Sequence, residues 1–278
     1  MSHRLITLLI GTTLSVATVG RVFADKNFYS IEKEQALGRQ LARDVERQAT
    51  MVRDPLVAAC LNRLGANLAR QSATRCPITI KVIASGDVNA FALPGGFIFV
   101  NSGLIQQADN EAELAGVIAH CVGHVAARHG TREVTHGEIA QIGMVPLYFV
   151  DGWAGYSAYQ AATILIPESF LKYSRALVAE ADRLGLDYMY KAGYDPAGFV
   201  AMLEKVQVME KRKPPTAAFS THPPTAERIA VAEDRIRQFR TRPRYLVSTS
   251  EFESVRAQLP APRTPQKNPP TLMRRADD

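Results

Sequence analysis

The stretch from Ile118 to Gly130 reads I-A-H-C-V-G-H-V-A-A-R-H-G. His120 and His124 stand four residues apart on an apolar run. On a helix that spacing puts both imidazoles on one face, close enough to hold a single ion. A lone histidine on an apolar helix is a core residue, whereas a pair at this spacing is a candidate metal site. The position after the first histidine, where a zinc peptidase carries its glutamate base, is Cys121. As a ligand Cys121 is badly placed, because adjacent helical residues diverge by about 100°. As a nucleophile it needs an oriented base and an oxyanion site. His124 is a base within reach, but nothing else of a cysteine-peptidase pattern is present. Cys121 therefore reads as a small apolar filler beside a vacated site. His129 and His136 read as ordinary surface histidines.

The elements that must position this pair are legible around it. Asn110 with Glu113 three residues on resembles a capping box, and the helix it opens runs through Leu114, Val117 and Ile118 to the histidines. Upstream, Ser30 to Gln48 has helical periodicity, with Leu37, Leu41 and Val45 on one stripe. Asp54-Pro55 opens a second helix that turns Leu61, Leu64 and Leu68 inward. Ile78 to Ala84 is β-branched and reads as a strand. Ala90 to Leu93 and Phe97 to Val100 are extended runs on either side of the break Pro94-Gly95-Gly96. Downstream, a long helix is expected from about Pro167 to Tyr190, and Asp195-Pro196 opens another. A proline-rich loop follows from Lys211 to Thr225, then a helix from Thr225 to about Phe239 and a short one from Ser250. There is no internal repeat. The expected class is α+β, helix-rich, with a small mixed sheet beside the histidine helix.

The bulk composition fits one such domain. Of the 278 residues, 46% are hydrophobic and 22% charged, enough for one large core. Residues 1–24 read as a signal peptide: Arg4, an uncharged run from Leu5 to Gly20, and small residues before a cut after Ala24. The mature chain is expected to be exported and periplasmic, a domain spanning 25–259 with a disordered Pro-rich tail at 260–278. Losing Arg4 and Arg21 lowers the net charge from +6 to +4, and Lys211-Arg212-Lys213 is the dense cluster read from the chain. A nucleic-acid footprint needs a basic stripe interleaved with aromatics, and none is expected. In an oxidising compartment Cys60 and Cys76 either pair or stay as two half-buried thiols, and the sequence leaves both open.

Four ordered motifs carry a resemblance: N-A-F-A-L-P-G-G-F-I-F-V-N-S-G-L-I, then N-E-A-E-L-A-G-V-I-A-H, then S-R-x-x-x-x-x-A-D-x-L-G, then S-T-H-P. In this order and spacing the chain resembles the HtpX-like family of zinc metallopeptidases, a gluzincin family, and in particular its exported bacterial branch. The resemblance spans roughly Phe28 to Leu259. It implies a zincin-like fold, zinc held by His120 and His124, and a glutamate base where Cys121 stands. It also implies a third ligand, a glutamate, at the position four residues after Ser174. That position is Val178. Asp182 matches an acceptor that orients a ligand histidine. Glu180 lies about 200° around the helix from Val178 and is expected to point away from the ion. His222, in the family's Ser-Thr-His-Pro loop, is an alternative third donor.

With base and ligand both replaced, weak or absent zinc binding is expected, and with it an inactive pseudopeptidase. Its surviving role would be to hold unfolded or extended polypeptide in envelope quality control, beside an active family member or envelope assembly machinery. The peptide-binding rim falls at Phe91, Ala92, Leu93, Gly95, Gly96, Phe97 and Ile98. The rival expectation is an active zinc endopeptidase built on His120, His124 and His222.

Overall fold

The structure is a computed structural model that describes residues 27–133, 135, 175–212 and 225–259. The leader, His136, Ser174, His222 and the Pro-rich tail lie outside the described residues. Ser30 caps α1 (Ile31–Gln48), its hydroxyl accepting from the Lys33 N–H. Asp54 caps α2 (Pro55–Ala69) through the N–H groups of Leu56 and Val57, with Pro55 in the first turn. Both helices fall where the periodicity places them, and Leu61, Leu64 and Leu68 are buried.

The small mixed sheet has four strands, β1 (Met51–Val52), β2 (Thr79–Ile83), β3 (Ala90–Leu93) and β4 (Phe97–Asn101), in the order β1-β2-β4-β3; the last three match the expected runs and β1 is absent from them. β2 and β4 run parallel, while β1 on β2 and β3 on β4 are antiparallel. The sheet is covered on both faces. Phe97 and Phe99 pack with Leu41 and Val45 of α1, and Ile98 and Val100 join the larger core with α2 and the helices beyond. The bend between β3 and β4 is a tight turn through Pro94, Gly95 and Gly96. Both glycines have positive φ, 76° and 96°, which residues with a side chain rarely adopt. A Cβ at Gly96 would also stand 2.2 Å from the Pro77 carbonyl oxygen.

After α3 (Ser102–Gln107), a short helix absent from the expected elements, comes α4 (Glu111–Ala126), the histidine helix. Asn110 caps it by accepting from the Glu113 N–H at 3.1 Å, and Glu113 reaches back to the Asp109 N–H at 3.0 Å. Downstream lie α5 (Arg175–Ala192), α6 (Ala197–Arg212), α7 (Thr225–Arg237) and α8 (Ser250–Gln258). α4 is the hub, packing on α5, α6, α2 and β3. Cys60 and Cys76 are both buried and unbridged. Among the described residues no helix is long and apolar enough to cross a membrane.

Candidate functional site

α4 and α5 touch almost backbone to backbone. A Cβ at Gly185 would lie 2.8 Å from the His120 amide nitrogen, and one at Gly123 would lie 2.7 Å from the Ala181 carbonyl oxygen. These two glycines let α5 come close enough for Asp182 to reach the histidine pair. Its Oδ1 lies 2.6 Å from His120 Nδ1. The other side of the carboxylate is gripped by Arg228 of α7, with Nε and one Nη each at 2.9 Å. Burial works against a charge here. Even so, the Arg228 guanidinium first, and His120 after it, hold the Asp182 carboxyl below the usual carboxylate range. Burial pushes His120 the other way, below the usual imidazole value, with Asp182 opposing.

His120 and His124 are brought together as the spacing requires, with their Nε2 atoms 3.1 Å apart. Two imidazoles on one tetrahedral ion would be separated by roughly 3.3 Å at ordinary zinc–nitrogen distances. The pair therefore fits as two ligands. A third is missing among the described residues, where no group of three His, Cys, Asp or Glu could hold a metal. Val178 is fully buried and has no donor atom. Asp182 cannot move over, because both its oxygens are already committed to His120 and Arg228. The described residues thus supply half of a zinc centre.

Cys121 is 3% exposed. Desolvation pushes its thiol up to about 12 despite the Arg228 charge nearby. It is protonated at any physiological pH, so it offers neither a thiolate nucleophile nor the proton acceptor a carboxylate would be.

Two residues behave differently from their sequence reading. His129 is not a surface histidine: it is 0% exposed, and its Nδ1 lies 2.9 Å from His124 Nδ1. It lies beyond the end of α4. Arg128 takes φ 57°, and this turn folds the chain back under the helix end. Glu34 pays for that unfavourable conformation by accepting from Arg128 Nε at 2.5 Å, and the Tyr29 carbonyl accepts from the same guanidinium at 2.5 Å. Glu180 does stay away from the Nε2 atoms, yet it is tied to the site through His129, whose Nε2 lies 3.2 Å from its Oε2. A continuous chain runs Asp182–His120–His124–His129–Glu180.

That chain constrains the protons. A neutral imidazole carries one N–H. With His120 donating to Asp182 and His129 donating to Glu180, His124 donates either to His120 or to His129. Donation to His129 turns the lone pairs of both Nε2 atoms toward one point. Glu180 thus makes His129 Nδ1 an acceptor, which permits the tautomer of His124 that a metal pair needs.

The rim is narrower than the sequence reading. Ile98 and Phe97 belong to β4, an inner strand bonded on both sides, and Ile98 is fully buried. Gly95 gives its N–H to Glu34 at 3.4 Å. What remains is β3. The Asn101 N–H bonds the Asn89 carbonyl at 2.9 Å, and the β3–β4 register then makes Phe91 and Leu93 the ladder-bonded positions. Ala90 and Ala92 consequently turn their N–H and C=O toward the open edge. A crevice of about 10 Å³ lined by Ala92, Pro94, His124 and Arg128 separates this edge from the histidines.

Residues 55–236 match peptidase family M48. Across 274 residues the chain is 28% identical to the "Beta-barrel assembly-enhancing protease" of Escherichia coli K12, covering 90% of this chain and 56% of that protein. It is 34% identical over 181 residues to the "Metalloprotease LoiP" of the same organism, covering 63% of this chain and 67% of that protein. Over 156 residues it is 30% identical to the "Mitochondrial metalloendopeptidase OMA1" of Schizosaccharomyces pombe, covering 56% and 45%. The chain spans about half the length of the beta-barrel assembly-enhancing proteases it matches.

Proposed function

Since the chain belongs to peptidase family M48, we propose that it is a catalytically inactive member, a pseudopeptidase that holds extended or unfolded polypeptide during quality control of envelope proteins. The observation that carries this reading is the double loss at one site. Cys121 stands where the base belongs, with its thiol held protonated, and buried Val178 stands where the third ligand belongs. A positioned general base is worth roughly 10²–10⁴ in rate, and two neutral imidazoles make a weak zinc site. The two replacements remove one function and leave the scaffold around it. An exported, periplasmic setting is supported by the leader before Asp25 and by the beta-barrel assembly-enhancing name of the relatives.

The binding surface in this proposal is the edge of β3. An extended segment adds there as a further strand, bonded by the outward N–H and C=O groups of Ala90 and Ala92. The test is suppression of aggregation of an unfolded outer-membrane-type polypeptide. Ala92→Pro removes an edge-facing donor and leaves the β3–β4 ladder intact. It is expected to weaken holding several-fold with an unchanged melting temperature. A well-folded Ala92→Pro protein that holds its client as well as wild type would rule out strand addition. Ile98→Pro is not the equivalent probe, because it breaks an inner strand.

The 3.1 Å spacing of the Nε2 atoms favours a second reading. In it His222 completes a three-histidine zinc site and the protein is an active endopeptidase. His222→Ala would then abolish zinc retention through dialysis against a chelator, and His129→Ala would not.

A further inference from the structure

The run Arg235-Ile-Arg-Gln-Phe-Arg-Thr-Arg-Pro-Arg-Tyr245 carries five arginines, and no acidic residue occurs from Arg235 to Ser250. Its charges are interleaved with aromatics, so the expectation of a single dense cluster at Lys211-Arg212-Lys213 is corrected here. The segment leaves the end of α7 and crosses the C-terminal end of α5. Tyr190 Oη donates to the Arg240 carbonyl at 3.1 Å. Leu246 donates to the Gly193 carbonyl at 2.8 Å and accepts from the Asp195 N–H at 3.1 Å. Two aromatics beside these fastenings, Tyr190 and Phe239, are already occupied, and Tyr245 within the loop is half-buried. The Arg242 guanidinium lies 4.1 Å from the Tyr190 ring centroid. Tyr190 stacks on Phe239 at 4.5 Å with an interplanar angle of 10°, and Arg235 sits 5.1 Å from the Phe239 centroid while bound to Asp187.

The remaining arginines divide by partner. Arg237 pairs with Asp234 at 3.0 Å. Arg240, Arg242 and Arg244 have no carboxylate within ion-pair distance among the described residues, and Arg240 and Arg244 are exposed. The loop is pinned at both ends and places three arginines close together along the backbone, with Arg240 and Arg244 exposed beside exposed Pro243 and Val247.

From this arrangement we infer that the Arg240–Val247 loop is a docking surface for an anionic phospholipid bilayer. Guanidinium groups match phosphate oxygens bidentately, and a basic cluster is drawn to a negatively charged headgroup layer without shape matching. The alternatives fit the surface less well. A protein interface is built around an apolar, aromatic core, but Tyr190 and Phe239 are committed to each other and to arginine. A single-stranded nucleic acid needs a series of open aromatic faces for its bases, and with Tyr190 and Phe239 occupied the loop retains Tyr245 alone. Pro243 and Val247 supply only the small apolar contact that an interfacial position requires.

The test is co-sedimentation of the mature chain with phosphatidylethanolamine vesicles containing phosphatidylglycerol, against phosphatidylcholine vesicles. Wild type should bind the anionic vesicles alone, and added salt should release it. Arg240→Gln/Arg244→Gln, which breaks no ion pair, should lower the partition constant on the order of tenfold or more. Arg240→Lys/Arg244→Lys should retain most of the binding. Lys211→Gln/Lys213→Gln, an equal loss of charge elsewhere, should bind as wild type does. The inference is overturned if wild type does not prefer the anionic vesicles, or if the two glutamine variants lose binding equally. It is overturned too if polyglutamate or an oligothymidylate binds this loop more tightly than the vesicles do.

Discussion

Cys121→Glu combined with Val178→Glu is expected to turn this protein into a zinc-retaining endopeptidase. In the proposed reading peptidase chemistry lacks two side chains, while His120, His124 and Asp182 stand together and β3 forms the sheet edge. Val178→Glu alone adds an anionic donor on the face of α5 that carries Asp182, so it should restore metal binding with little turnover. Cys121→Glu alone should recover neither fully, because a base without a firmly held ion has nothing to act on. The double variant should exceed Val178→Glu in casein cleavage by roughly the 10²–10⁴ that a positioned base supplies. Both positions are buried, so each added carboxylate destabilises the metal-free fold. Melting curves with and without zinc separate lost chemistry from lost structure. A folded, zinc-loaded double variant that stays inert would show that more of the site has gone than these two positions.

Asp182→Ala should have the largest effect on stability. Asp182 is 3% exposed and joins His120 on α4 to Arg228 on α7 from its own place on α5. Removing it leaves a guanidinium that is 11% exposed without its counter-charge. Breaking one partner of such a buried pair costs about 3–5 kcal/mol. For a domain of this size that is a fall in melting temperature of roughly 10 °C. The loss should be the same with and without a chelator, because the pairing of Asp182 with His120 and Arg228 needs no metal. A fall that appears only when zinc is present would place the metal, rather than Arg228, at the centre of the junction.

The parts of this site that sequence exposes are those governed by local rules. Ser30, Asp54 and Asn110 cap helices as their side chains dictate, and Pro94-Gly95-Gly96 makes the turn that only glycine tolerates. The His120–His124 pair follows from helical spacing. The misses come where a local rule stops applying. His129 reads as a surface histidine because nothing in the sequence marks the left-handed turn at Arg128 that folds it under the helix end. That turn depends on Glu34, 94 residues away, which no local pattern announces. Arg228 went unnamed because its partner lies on another helix. Its signal was a cation three residues into a helix that begins at Thr225, one turn from the apolar face. Ile98 was placed on the rim because strand order, β1-β2-β4-β3 rather than sequential, cannot be read from strand propensity. The arginines of 235–244 alternate with uncharged residues, so no contiguous block of charge announces them.

Whether Cys121 and Val178 have ended peptidase function is tested most directly by zinc content measured together with casein turnover on the wild-type mature protein. Protein purified without added metal should hold well under one equivalent of zinc after dialysis against a chelator, and casein should remain intact with zinc restored. Stoichiometric zinc that survives the dialysis, together with casein cleavage that a chelator abolishes, would contradict the loss of peptidase function.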